Sequence, residues 1–277
     1  MSLTKIPLAG VIGSPIAHSK SPALHTHWLK TLGIAGHYIP IDVAQEDLEH
    51  IVKTLPKMGF VGVNVTVPYK EKVMAFADLV TDRAALIGSA NTLIFRKDGK
   101  IHADNTDSYG FIQNLRQKAP DWDPKAGPAA ILGAGGAARA VIAALVEVGV
   151  PEILISNRTK ARAETLRADF GNRLRVVDWV QAGNMLEDAA TVINTTSLGM
   201  VGKPPLRVPL DGLQKGALVT DLVYAPLMTH LLNEANEAGC VTVDGLGMLL
   251  HQAVPAFERW FGVRPQVTDE TRAAVLR

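Results

Sequence analysis

The chain has 277 residues, with 28 Lys and Arg against 27 Asp and Glu, so its formal net charge of +1 gives no electrostatic footprint of a nucleic-acid binder. That length accommodates two domains of ordinary size. A single cysteine, Cys240, excludes an intrachain disulfide, and no uninterrupted apolar run reaches membrane-spanning length; the expectation is a cytoplasmic enzyme with no membrane or nucleic-acid partner. In chain order, strands alternate with helices, which predicts parallel sheet with crossovers. The opening SLTKIPLAGVIG is too short in its apolar stretch for a signal-peptide core, and LAGVIG reads as the first strand. HYIPIDV and GVNVTV read as strands, with SPALHTHWLKTLG and QEDLEHIVKTLPKMG as the helices between them. YKEKVMAFADL follows Pro68, which suits the first position of a helix. TLIFRKDGKIHADN reads as a hairpin turning at Asp98-Gly99.

A helix around SYGFIQNLRQ then leads into the polar DWDPKAG, the expected linker. Beyond it, strands are predicted near 129–132, 153–156, 174–177, 191–194, 218–221 and 240–243, with Cys240 filling strand structure rather than serving as a reactive thiol. MLLHQAVPAFERWF carries Leu249, Ala253, Phe257 and Trp260 at helical spacing and stops at Gly262. Its Pro255 lacks an amide proton, so the carbonyl of His251 is expected to lose a partner beside Gln252. VTDETRAAVLR is the final predicted helix.

The most informative stretch is ILGAGGAAR at 131–139, followed by ILISNRT at 153–159. A strand running into Gly133, Gly135 and Ala138 has the G-x-G-x-x-A spacing of a dinucleotide-binding turn, where glycines permit the turn and a small third residue lets helix pack on strand. NAD-specific sites usually carry an acid at the end of the second strand; here Asn157 and Arg158 stand there. A guanidinium pairs with a 2′-phosphate that an acid would repel, so the pattern points to NADP. Arg162, one helical turn on, addresses the same phosphate. Read singly, Arg158 and Arg162 are also ordinary solvated charges; the sequence of strand, glycines, helix, strand and basic end favours the nucleotide.

Polar clusters that a packed core does not require lie elsewhere. SPIAHSKSP places Ser19 and Ser21 just beyond the first strand, where ligands lie in open α/β sheets; alone, Ser21 equally suits the cap of the helix that Pro22 begins. NVTVPYK delivers Asn64, Thr66 and Lys70, and Asn91, Asp104, Asn105 and Asp107 follow around a second strand end. Lys70 by position alone is either a surface lysine or a functional one. His18, His25 and His27 lack the cysteine or carboxylate that would complete a metal site, and His25 and His27 do not share a helix face, so no metal is expected.

At nearly its whole length the chain resembles the shikimate dehydrogenase family, through SPIAHSKSPALH, GVNVTVPYKEKV, GSANTL, ADNTDSYGF, ILGAGGAAR, SNRTKARAE, INTTSLGM, DLVYAPLMT and GMLLHQAVPAF in that order. The resemblance implies an α/β chain with a substrate-binding and catalytic domain at 1–106, completed by about 246–277, and a Rossmann-like NADP-binding domain at 107–245. It implies that Ser19 and Ser21, with Tyr224, bind the substrate carboxylate, and that Thr66, Asn91 and Gln252 hold ring hydroxyls. Lys70 and Asp107 are the implied catalytic pair. The pyrophosphate would meet the turn at Gly133, Ala134, Gly135, Gly136 and Ala137, and the 2′-phosphate Asn157, Arg158, Thr159 and Arg162. Thr196, Met200 and Gly245 match positions near the nicotinamide.

The activity so implied is reversible reduction of 3-dehydroshikimate to shikimate in chorismate and aromatic amino-acid biosynthesis, in a monomer or homodimer. Such chemistry moves a hydride and requires a positioned group to exchange the hydroxyl proton. Lys70 is either that group or a cation stabilising the developing alkoxide while Asp107 or water shuttles the proton. A quinate/shikimate dehydrogenase of different preference is the nearest alternative, and Ser21, where dual-specific relatives often carry threonine, leans towards shikimate. A nicotinamide-sensing protein without turnover would need neither Lys70 nor Asp107. Ser108 and Thr195 depart from the glycine and alanine usual at their positions and are expected to alter local packing only.

Overall fold

The structure, a computed structural model, describes residues 6–277; residues 2–5 of the opening segment lie outside the described residues. The chain divides into two compact units, one formed by the residues through Thr106 with Leu250–Arg277, the other by Asp107–Leu249. The fold is α/β in both. Among the described residues no helix is long and apolar enough to cross a membrane.

The first unit contains β1 (Leu8–Gly13), α1 (Ser21–Thr31), β2 (His37–Asp42), α2 (Leu48–Thr54), β3 (Phe60–Val65), β4 (Leu79–Val80), α3 (Asp82–Ile87), β5 (Thr92–Phe95) and β6 (Ile101–Asp104). Its sheet order is β2-β1-β3-β5-β6-β4. β2, β1 and β3 run parallel, as crossover connections require, but the 92–104 hairpin makes β5 antiparallel to both β3 and β6. The sheet is therefore mixed. Its register sorts chemistry by rows, because alternate residues face opposite sides. The row Val63, Leu93, Ala103 is fully buried in an apolar cluster with Leu48, Val52 and Val73. Burial of each larger side chain there contributes about 1.5–3 kcal/mol. The next row, Asn64, Thr92, Asp104, is polar and equally buried.

Several expectations are corrected here. YKEKVMAFADL forms no α-helix: a turn at 70–71 leads into a five-residue 3-10 helix at Lys72–Phe76. The lysines and glutamate there alternate without a sustained apolar stripe, so little packing holds a longer helix. GVNVTV is strand only as far as Val65, which leaves Thr66 in the loop beyond. β4 and α3 were not predicted, although Thr81 caps α3 by accepting a hydrogen bond from the Ala84 amide and Gly88 ends it at φ +74°, both of which are sequence signals. The segment DWDPKAG is no linker, since it lies inside the second unit.

That second unit holds α4 (Asp107–Lys118), β7 (Ala129–Leu132), α5 (Gly136–Val148), β8 (Ile153–Ser156), α6 (Lys160–Phe170), β9 (Leu174–Val177), β10 (Thr191–Asn194), β11 (Leu218–Asp221), α7 (His230–Glu237) and β12 (Val241–Val243). Every strand pairing is parallel, in the order β12-β11-β10-β7-β8-β9. Counted from its own first strand this is the 3-2-1-4-5-6 order of the doubly wound dinucleotide fold. The strands read as short apolar runs because helices cover both faces. Buried Cys240 donates weakly to the Gln214 carbonyl just before β12.

α8 (Leu246–Phe261) continues through Pro255, and α9 (Asp269–Leu276) is capped by Thr268. In the first unit the C-terminal part of α8 closes over the sheet, where Gly62 of β3 lies directly beneath the Trp260 indole. A side chain at position 62 would collide with that ring and with the Leu93 carbonyl. His25 packs into the same aromatic cluster, stacked on Tyr38 at 3.9 Å, and burial lowers it to about 3, so it is a neutral packing residue.

Asp104 shows how the buried polar row is held. Burial pushes its carboxyl upward, but a two-point contact from Arg83 (2.7 and 2.5 Å), the Thr81 hydroxyl and the Asn105 amide together hold it below the usual carboxylate range. A carboxyl so lowered stabilises the fold above about pH 4, and the contribution is lost as pH falls through its folded value. Arg83 is half exposed, which limits what the pair contributes. Arg83→Ala is expected to lower stability at pH 7 by about 1–2 kcal/mol in urea titrations and to move acid unfolding to higher pH. Equal stability of variant and parent at both neutral and acid pH would show that Arg83 does not hold Asp104.

Candidate active site

In the first unit the topology gathers the predicted substrate residues at one sheet edge. β1 and β3 are parallel, so their outgoing loops, with Ser19 and Ser21 in one and Thr66 and Lys70 in the other, leave on the same side. β5 is antiparallel, so Asn91 enters it at that edge, and β6 delivers Asn105 and Thr106 there as it ends. Backbone bonds fix the loops: the Val65 amide donates to the Asn91 carbonyl at 2.8 Å, and the Ala90 amide to the Lys70 carbonyl at 2.8 Å. Lys70 is half-buried on a turn. It does not stand at a helix N-terminus, as its sequence context had predicted.

Ser21 is not a helix cap. α1 begins at Ser21 itself, with Lys20 before it, and the Ser21 amide reaches the Ser19 hydroxyl at 3.3 Å. The Ser19 oxygen thus accepts a backbone bond, and Ser21 is buried at the start of the helix. His18 is exposed in this loop.

Asn91 is the most constrained of the group, 2% exposed. Its Oδ1 accepts from the Thr106 amide at 2.9 Å and from the Thr92 hydroxyl at 3.0 Å, and its Nδ2 donates to Gln252 Oε1 at 3.0 Å. The last bond brings a residue of α8 to the sheet edge, 161 positions away in sequence. Thr92 and Thr106 escaped the sequence reading; a hydroxyl or amide inside an otherwise apolar buried strand, as in GVNVTV and ANTLIF, is the signal that marks such partners.

In the second unit the glycine-rich turn has the expected form. Gly133 takes φ +106°, and an added side chain there would meet Thr195 and Thr196 at 2.7–2.8 Å. Gly135 and Gly136 are exposed and have no heavy atom within 4 Å of where a Cβ would stand, so the start of α5 is an open cradle. Its first amides, without a side-chain cap, suit a phosphate. Ala134 and Ala137 flank them. The Asn157 side chain bridges the turn to the next loop, accepting from the Ala134 amide at 3.1 Å and donating to the Thr159 carbonyl at 2.8 Å. Arg158, Thr159 and Arg162 are exposed around the start of α6.

A second polar knot supports the neighbouring loops. Asp221 accepts from Asn194 Nδ2 (2.9 Å), the Thr229 hydroxyl (2.7 Å) and the Val223 amide (2.9 Å), while burial pushes its carboxyl up. Asn194 Oδ1 in turn accepts from the Thr196 hydroxyl at 2.7 Å. Half-buried Met200 and Tyr224 lie on the loops after β10 and β11, and burial raises the Tyr224 phenol. Gly245 passes so close to the Asp221 and Leu222 carbonyls that a side chain would not fit. The two residues that depart from the commoner pattern both make bonds: Thr195 donates to the Leu132 carbonyl at 2.9 Å, and Ser108 to the Ala140 carbonyl at 2.8 Å. Asp107 opens α4.

Family profiles match three stretches: the shikimate dehydrogenase substrate binding domain over residues 11–93, shikimate / quinate 5-dehydrogenase over 115–201, and the shikimate 5′-dehydrogenase C-terminal domain over 245–276. The chain is 73% identical over 272 residues to a shikimate dehydrogenase (NADP(+)) of Cereibacter sphaeroides, with 98% of both chains covered. It is 67% identical over 276 residues to one from Roseobacter denitrificans, covering 100% of each. Among solved structures, shikimate 5-dehydrogenase of Thermus thermophilus in complex with NADP(H) and shikimate superposes with a TM-score of 0.86 at 38% identity, covering 97% of this chain and 98% of that one. A quinate dehydrogenase of Corynebacterium glutamicum in complex with NAD gives 0.91 at 31% identity and 99% coverage of each.

Gly133→Ala combines a left-handed backbone with two close contacts and is expected to lower stability by about 1–3 kcal/mol in chemical denaturation, with weaker retention on an immobilised adenosine 2′,5′-bisphosphate column. Unchanged stability would show that the turn relaxes around the added methyl.

Proposed function

This chain belongs to the shikimate dehydrogenase family, and from that membership we infer that it catalyses the NADP-dependent, reversible reduction of 3-dehydroshikimate to shikimate, a step of chorismate and aromatic amino-acid biosynthesis. The observation that carries the reading is the meeting of Asn91 with Gln252 at the edge where Ser19, Ser21, Thr66 and Lys70 also lie. Hydroxyls and carboxamides there match a ligand that is a carboxylate at one end and a polyol at the other. In this reading Ser19 and Ser21, with Tyr224, take the carboxylate, while Thr66, Asn91 and Gln252 take ring hydroxyls. The residues through 106, completed by about 246–277, act as the substrate and catalytic domain.

The 107–245 segment acts as the NADP-binding domain. Its open cradle at Gly135 and Gly136 fits a pyrophosphate, and the exposed bases after β8, with no acid at that strand end, fit a 2′-phosphate. Gly133, Ala134, Ala137, Asn157 and Thr159 shape those contacts, and Thr196, Met200 and Gly245 line the nicotinamide side. When bound, NADP(H) supplies or accepts the hydride. Lys70 exchanges the hydroxyl proton, or stabilises the developing alkoxide, and Asp107 orients it or shuttles that proton. The 73% identical relative named for NADP and shikimate supports this specificity over quinate. We place the enzyme in the cytoplasm, as a monomer or homodimer.

Steady-state rates with shikimate and quinate, each paired with NADP⁺ and NAD⁺, test the assignment: dominant turnover with shikimate and NADP⁺ is expected, and a quinate or NAD⁺ preference would overturn the specificity. Lys70→Ala is expected to lower kcat by about 10²–10⁴-fold while NADPH binding stays intact; near-normal turnover would remove Lys70 from the chemistry. Arg158→Ala should raise KM for NADP⁺ about tenfold and leave that for NAD⁺ nearly unchanged, a difference of about 1.4 kcal/mol; equal losses would refute the 2′-phosphate contact.

A further inference from the structure

Tyr38 lies outside the loops that carry the proposed site residues, yet it stands at the head of a hydrogen-bond chain that ends in the proposed substrate pocket. It is on β2, opposite Ala9 of β1, which in turn is opposite Gly62 of β3. With only a methyl and a hydrogen on that face, the phenol crosses β1 and donates to Asn64 Oδ1 at 2.7 Å. Asn64 Nδ2 donates to the Thr92 hydroxyl at 3.2 Å and to the Asn91 carbonyl at 3.1 Å. The Thr92 hydroxyl donates to Asn91 Oδ1, and Asn91 Nδ2 donates to Gln252 Oε1. The Ser21 hydroxyl meets the same phenol from α1.

Every link in this chain points the same way, from donor to acceptor. That polarity matters because the two ends of a carboxamide have nearly the same shape, and only its partners decide which end faces where. A phenol with no carboxylate neighbour in the chain has one proton to give, and Asn64 receives it. Burial, opposed by the Ser21 contact, pushes the phenol well above its ordinary value, so it remains a donor at working pH. Its ring is held by the stack on His25, 6° from parallel, and by the Trp260 indole.

We propose that Tyr38, acting through Asn64 and Thr92 and alongside the Thr106 amide that also donates to Asn91 Oδ1, is a positioning residue that holds the Asn91 and Gln252 carboxamides in the orientation that receives the substrate's ring hydroxyls. Its contact with Ser21 links the same phenol to the carboxylate end of the pocket. The proposal rests on the substrate pocket inferred above and deepens it: recognition of the polyol is set by a residue with two strands between it and β5 that does not itself touch substrate.

The test is a kinetic comparison on the full chain with shikimate and NADP⁺. Tyr38→Phe keeps the ring stack and removes only the hydroxyl; it is expected to raise KM for shikimate about tenfold, with kcat within about twofold and KM for NADP⁺ unchanged. Thr92→Val, nearly the same shape, should give the same split, and Thr92→Ser should restore it. Unchanged KM in both Tyr38→Phe and Thr92→Val would overturn the proposal. So would a Thr92→Ser variant as impaired as Thr92→Val, since packing rather than hydrogen bonding would then be at stake. Should Tyr38→Phe fail to fold, the Thr92 pair decides alone. Asn91→Ala and Gln252→Ala in the same assay separate the two readings. If they leave KM for shikimate unchanged, the pocket itself is wrong; if they raise it while Tyr38→Phe and Thr92→Val do not, only the chain of positioning falls.

Discussion

A buried carboxamide has four hydrogen-bonding positions to satisfy and little tolerance for leaving any of them empty. Asn91 meets that requirement by drawing on β6, β5 and α8 at once, and its backbone carbonyl holds Asn64 and the Val65 amide besides. The constraint is strict in a low-dielectric interior, where an unpaired amide costs about 1–3 kcal/mol. Much of the first unit follows from it. The antiparallel hairpin must bring Thr92 and the Thr106 that follows β6 to Asn91, α8 must present Gln252 at the sheet edge, and the loop carrying Lys70 is anchored one residue away through Ala90.

The second unit solves a comparable problem with a charge. Asp221 is buried, and three donors surround it, one from a neighbouring strand and two from its own following loop. The same bonds order the loops that carry Thr196 and Tyr224. In both units, then, the loops nearest the proposed chemistry are held by buried polar groups, Asp221 from behind the site and Asn91 from within it. That is how side chains on loops acquire a fixed geometry.

Much of this was legible in the sequence, and what was not has identifiable causes. The strands of the second unit were readable because parallel strands covered on both faces appear as short apolar runs between helices, and Gly133 announced its turn because only glycine tolerates that backbone. The 69–76 segment misled because Pro68 is a valid helix start while nothing downstream supplies a packed stripe to sustain a helix. DWDPKAG has linker composition, yet Trp122 donates to Thr191 and ties the segment into the second unit. Tyr38 was illegible for another reason, and Asn64 and Thr92, polar residues in apolar strands, showed no partner in the sequence: only the register, which places Asn64 opposite Thr92, turns the three into a connected row. Ser21 looked like a cap because its type and the following proline fit one, and only the backbone shows that the helix starts at it.

The first unit is discontinuous in sequence, and that has a consequence for how the chain comes into being. Asn91 and Gln252 are 161 residues apart, with the whole of Asp107–Leu249 between them. As the chain leaves the ribosome, the contiguous unit has all of its strands while the earlier one still lacks Gln252, Phe257 and Trp260. The substrate-side sheet, made first, is therefore finished last, and until α8 emerges its Gly62 face and the Asn91 amide remain open to water or to a chaperone.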